Sequence, residues 1–156
     1  MKLIHNIIVS IFEKKPDNLD IIYDILHYLL PVDFDKEKID LSHEEVDGLT
    51  GDKIHIIKLK TTKNKHNNLL LSNVFNNLSM EDKKLIMEQR ESRLNSEGYF
   101  FLRLDKDNLF RKKFVLTDGG NCFHFKIKLA AYPATQEQFM NVLERLFIEM
   151  GCSLEK

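Results

Sequence analysis

Tyr99, Phe101 and Arg103 recur at every second position, and so do His124, Lys126 and Lys128. Side chains two apart in an extended chain share a face. Each trio therefore presents its rings and cations together. Guanidinium and ammonium groups bind phosphate oxygens, and aromatic rings accept stacked bases. Such a face suits RNA. Two further alternating cations, Lys58 and Lys60, end the run Ile54-His55-Ile56-Ile57-Lys58-Leu59-Lys60. The connector from Asp105 to Lys113 adds Lys106, Arg111, Lys112 and Lys113, residue types that grip a phosphate backbone. Lys63, Lys65 and His66 extend the same surface if the chain continues past the second run. The plain alternative is that an open sheet face must be polar, and lysine is a common choice.

Catalytic and metal-binding residue types are present but not arranged for those tasks. Asp33, Asp35 and Glu37 alternate within one acidic stretch, whereas a Mg²⁺ site draws carboxylates from separate elements. A metal-dependent hydrolase is a remote reading. His43-Glu44-Glu45 lacks the second histidine of a zinc-protease helix, and the six histidines show no ligand spacing. Neither Cys122 nor Cys152 has the supporting arrangement of a nucleophile. Six glycines form no phosphate-cradling loop. No catalytic residue, metal or cofactor is assigned.

The net charge of -1 hides a segregated distribution. Pro31 to Asp47 carries seven acids against Lys36 and Lys38. Ile54 to His66 carries four lysines and no acid, and Gly98 to Pro133 carries seven cations against three aspartates. Local clusters of this kind, rather than the total, govern affinity for nucleic acid. The length of 156 residues, 43% hydrophobic and 30% charged, fits a single domain spanning residues 1–156. No apolar run approaches the ~20 residues of a membrane span. The expectation is a protein without a signal peptide, in the cytoplasm, with its two cysteines as free thiols and no membrane partner.

The elements that must position the cations follow from periodicity. Lys2 to Phe12 is rich in β-branched residues on both faces, which predicts an interior strand. Pro16-Asp17-Asn18 starts a helix carrying Leu19, Ile22, Leu26, Leu29 and Leu30, with Asp17 or Asn18 as cap. The acidic stretch reads as mostly loop, with a short strand near Ile39 to Leu41, and Gly48 and Gly51 mark a turn. Asp52 to Thr62 is a second strand. Asn64 to Asn95 predicts two helices, the second capped by Ser79 and largely on the surface. Gly98–Lys106 and Phe123–Pro133 pair as an antiparallel hairpin. In it Phe100, Leu102, Leu104, Phe125, Ile127 and Leu129 form the apolar face. Thr135 caps a last helix with Phe139, Val142, Leu143, Leu146 and Met150 in one stripe, and Gly151 ends it. The order is β-α-β-α-α-β-β-α. The fold class is α+β, an antiparallel sheet with helices packed on one face.

Leu102-Arg103-Leu104-Asp105-Lys106, with Phe125-Lys126-Ile127-Lys128 and Ala131-Tyr132-Pro133, resembles a family of small archaeal proteins. Its members are called predicted RNA-binding proteins or predicted exosome subunits. The resemblance extends over most of the chain and implies a fold similar to that of the ribosomal protein that holds 5S RNA. Two departures stand out. Asp107-Asn108-Leu109 follow Lys106 where the family has glutamine and small residues. Leu49-Thr50 and Asp52-Lys53 replace the family's histidine-bearing glycine turn with its Asn-Pro. The resulting expectation is a non-catalytic RNA-binding protein acting through Lys58, Lys60, Tyr99, Phe101, Arg103, Lys106, Arg111, Lys112, Lys113, Lys126 and Lys128. The alternative is an adaptor subunit of an RNA-processing assembly, contacting protein partners through the acidic stretch or a strand edge.

Overall fold

The apolar alternation of four segments is what builds the sheet. The structure is a computed structural model, and it describes residues 2–152. The strands are β1 (Ile4–Glu13), β2 (Asp40–Asp47), β3 (Lys53–Thr61), β4 (Tyr99–Asp105) and β5 (Cys122–Leu129). The helices are α1 (Leu19–Leu29), α2 (Asn64–Asn77), α3 (Met80–Glu88), α4 (Lys106–Phe110) and α5 (Gln136–Glu149), with a 3-10 turn at Pro16–Asn18. The strands form one sheet in the order β2-β3-β1-β5-β4, every neighbouring pair antiparallel.

One face of the sheet is the core. Ile7, Val9 and Ile11 of β1, Ile57 and Leu59 of β3, Phe100, Leu102 and Leu104 of β4, and Phe125 and Ile127 of β5 are all buried. They meet Ile22, Leu26 and Leu29 of α1, Leu70, Leu71 and Val74 of α2, and Phe139, Leu143 and Phe147 of α5. Burying a large aliphatic or aromatic side chain in this way contributes about 1.5–3 kcal/mol. The hairpin and the interior position of the first strand agree with the sequence reading. Cys122 and Cys152 are both buried free thiols.

Two elements go beyond that reading. The acidic stretch expected to be mostly loop contains the eight-residue strand β2. It has almost no apolar period because it is an edge strand whose residues are nearly all exposed. Its partner decides its conformation: the ladder sets Asp40 against Lys60 and Asp47 against Lys53. The basic connector contains α4, whose first amides are satisfied when the Asp105 side chain accepts from Asn108 N at 3.0 Å. The cap expected at Asp17 or Asn18 also differs. Asn18 occupies the cap position but gives its side-chain amide to Glu13 Oε1, 3.0 Å away.

Gly98 sets the start of β4. Its φ is +86°, and a Cβ there would lie 2.6 Å from Cζ of the buried Phe139. Its carbonyl accepts from Leu129 N at 2.9 Å, tying the two ends of the hairpin together. Both the left-handed backbone and the ring exclude a side chain. Gly98→Ala therefore destabilises the protein by at least about 2 kcal/mol, seen as a lower denaturant midpoint with an unchanged slope.

Candidate nucleic-acid interface

The pleat that buries one face turns the alternate residues outward. Directly paired residues in an antiparallel sheet lie on the same side. One row across the sheet runs Ser42, Lys58, Ser10, His124, Arg103. The next runs Asp40, Lys60, Ile8, Lys126, Phe101, and a third joins Asn6, Lys128 and Tyr99. The structure thus brings together Lys58, Lys60, Tyr99, Phe101, Arg103, Lys126 and Lys128 on one accessible face. Lys58 and Arg103 are exposed and the other five are half-buried. Lys60 and Lys126 are separated by the single strand β1, roughly 10 Å between backbones.

Rings and cations interlock there. Lys126 Nζ lies 4.2 Å and Lys128 Nζ 4.6 Å from the Tyr99 ring centroid. Lys128 Nζ also donates to the Glu97 carbonyl. Tyr99 and Phe101 stand 6.4 Å apart, and Phe101 and His124 5.6 Å apart with planes 33° from parallel. Burial, then the neighbouring Arg103 and Lys126, hold the His124 imidazole below its ordinary pKa. It therefore serves as a neutral ring in a cationic setting. The contribution of β1 between the two basic groups is Asn6, Ile8, Ser10 and Phe12, the last 61% exposed. The sequence reading did not single out these residues, although their own alternation carries the signal.

The acids lie at the border. Asp40 and Glu44 of β2 face the same side as Lys60 and Ile56, so the basic band ends at that edge. The opposite edge is covered, because Phe101 N donates to Arg93 O and Thr117 N to Arg103 O. Asp33 Oδ1 accepts from the amides of Asp35 and Lys36 at 3.1 Å, stabilising its own turn. Among the described residues, no three histidine, cysteine or carboxylate groups converge in a metal-binding arrangement.

Four of the expected contacts lie elsewhere. Lys106 is 6% exposed, so it is not part of the outer surface. It opens α4, and the helical turn carries it to the end of β1. There its Nζ donates to Phe12 O at 2.6 Å and stands 3.5 Å from Glu13 Oε1. Arg111, Lys112 and Lys113 are exposed but follow α4. Lys112 Nζ sits 5.0 Å from the Tyr28 ring centroid of α1, which places this turn beside the helix layer. Lys63, Lys65 and His66 form the start of α2 at the end of β3.

Residues 6–129 match the model of a protein family described as RNA binding. The chain belongs to this RNA-binding family. It is 24% identical over 133 residues to RNA-binding protein PAB1135 from Pyrococcus abyssi, covering 85% of this chain and 86% of the relative. Uncharacterized protein MJ0213 from Methanocaldococcus jannaschii is 24% identical over 130 residues, covering 80% and 87%. Protein AF2318 from Archaeglobus fulgidus has a solved structure that superposes with a TM-score of 0.78 at 20% identity, over 92% of this chain and 99% of that one. At that identity the structural likeness shows a shared fold.

Two outcomes follow from these geometries. In an NMR titration His124 loses its proton at a lower pH than a free histidine, and Arg103→Ala moves the midpoint upward by removing a repelling cation. An unchanged midpoint would mean that Arg103 does not face the ring. The second concerns Glu13. Burial raises its carboxyl, but the Asn18 amide, the Lys15 amide and Lys106 together hold it below its ordinary value near 4.5. Its stabilising contribution is full above that ordinary value and is lost as pH falls through the lower, folded one. Lys106→Ala leaves the buried carboxylate without its cation. This destabilises the fold by about 3 kcal/mol at pH 7, measured by chemical denaturation.

Proposed function

We propose that the outer sheet face is a non-catalytic RNA platform read mainly through phosphates. The observation that carries this reading is the pair of ladder rows that align Lys58 and Lys60 with Arg103 and Lys126 across β1. Membership of an RNA-binding family and the name of the Pyrococcus relative support it. Tyr99 already has two lysine ammonium groups over its ring, so its part is to hold these cations for phosphate. Phe101 and His124 keep ring surface for one or two unpaired bases. Phosphate contacts position a chain without reading its sequence. Specificity on this face is modest.

A second reading rests on the free edge of β2, which among the described residues pairs only with β3. In it the chain is an adaptor subunit of an RNA-processing assembly, such as the exosome, that the edge engages without direct RNA contact. A titration of RNA affinity against salt separates the two. For the platform, log K falls linearly with log salt, with a slope of about 0.7 per single-strand phosphate contact. Lys126→Ala combined with Lys128→Ala lowers that slope by about 1.4 for every RNA sequence tried. Phe101→Ala costs about 1–3 kcal/mol if a base stacks there, with the slope unchanged. Absence of RNA affinity at low salt removes the platform and leaves the adaptor.

A further inference from the structure

The end of β3 feeds directly into α2, and this junction has the features of an anion site. The N-cap of α2 is Lys63, whose side chain accepts nothing from the first turn, and no acid lies in that turn. An ammonium has no acceptor to offer. The backbone N–H groups at this end carry the positive pole of a 14-residue helix. Through Lys63 and His66 the helix start borders a cavity also lined by Lys38 and Lys60, with Glu37 and Asp40 as its acids. Lys60 belongs both to this lining and to the outer sheet face.

His66 supplies a second, independent observation. It is 3% exposed, and among the described residues its Nε2 has no hydrogen-bond partner. The nearest carboxylate, Glu37 Oε1, lies 3.5 Å from Nε2, beyond an ordinary hydrogen bond. The same oxygen accepts from Lys65 Nζ at 3.0 Å. Contact with the Lys65 ammonium, first of all, holds the Glu37 carboxyl below its ordinary value, so it is ionised at neutral pH. Glu37 comes from the turn before β2 and its side chain is 31% exposed. A carboxylate on a surface turn thus lies against a buried ring nitrogen and a lysine of the first turn of α2.

We propose that this cavity is a phosphate site, and that Glu37 is an internal anion that a phosphate group of bound RNA displaces. The proposal rests on the RNA reading for the source of the phosphate. The site itself needs only the chemistry of α2 and its surroundings. Phosphate would accept from the first amides of α2, from Lys63 and Lys65, and from a His66 nitrogen that carries its proton on Nε2. Lys60 would make the cavity continuous with the sheet face.

The test is an NMR titration of the isotope-labelled full chain at constant ionic strength, with chloride as the control anion. Inorganic phosphate is expected to move the Asn64 and Lys65 amides and the His66 ring resonances along one saturable curve. Glu37→Gln is expected to tighten that curve about fivefold, the size of one exposed charge contact. Lys63→Ala, an exposed change that keeps the fold, is expected to weaken it. A short RNA with a 5′-phosphate is then compared with its 5′-hydroxyl form. Equal shifts identify an internal phosphodiester as the occupant, and shifts with the phosphorylated form alone identify a chain end. If phosphate leaves those amides unmoved, or Glu37→Gln does not tighten binding, the site is overturned. RNA shifts confined to Tyr99, Phe101 and Lys126 would overturn the site while the platform stands. Phosphate shifts without RNA affinity would overturn the platform while the site stands as an anion site.

Discussion

The placement of every outward cation depends on the register of β1. This strand is central, and both of its ladders are antiparallel. It pairs Ile8 with Lys60 on one side and with Lys126 on the other, and Ser10 with Lys58 and His124. Side chains alternate strictly, so a slip of one residue against either neighbour would set Ile7 or Val9 opposite a lysine, driving that lysine toward the helices or the core residues of β1 into water. Burial of Ile7, Val9 and Ile11 is thus the same event as display of the basic face. The bulge at His5, where the register against β5 shifts, lies beyond these rows.

The two edges of the sheet are treated differently. At β4 the backbone is covered by residues around Arg93 and Thr117, and Gly98 lets the chain pass under the Phe139 ring. At β2 the edge is open but acidic, a common protection against edge-to-edge pairing. The same acids repel a polyanion. They therefore confine the basic band to the four strands β3, β1, β5 and β4. Lys106 is a cation spent on structure: it joins α4 to the end of β1 through Phe12 O and Glu13.

The rings on this face act with the cations. Two lysines rest against Tyr99, and Phe101 and His124 continue the line of rings across β4 and β5. A lysine held over a ring has fewer conformations to lose when it meets a phosphate. On the proposed platform, cations held in advance would favour contacts to the RNA backbone, and the remaining ring surface would admit unpaired bases.

The alternation in Tyr99–Asp105 and in Cys122–Leu129 determined, without any tertiary information, which side chains of the hairpin face water. Period-two patterning is local, and a half-buried strand cannot hide it. The stripes of α1 and α5 were legible for the same reason, since each has one apolar face to bury. The sequence showed only the start of β2, near Ile39 to Leu41, because an edge strand wet on both sides has no apolar period and takes its conformation from β3. Nor could it separate Lys106 from Lys126. Both are lysines in a basic segment, and only the turn of α4 sends one into the interior. The insertion of β1 between β3 and β5 was likewise a tertiary decision. Strand order depends on which apolar faces close over the helices together, and that non-local packing is what sets Lys58 and Lys60 in line with Arg103 and Lys126.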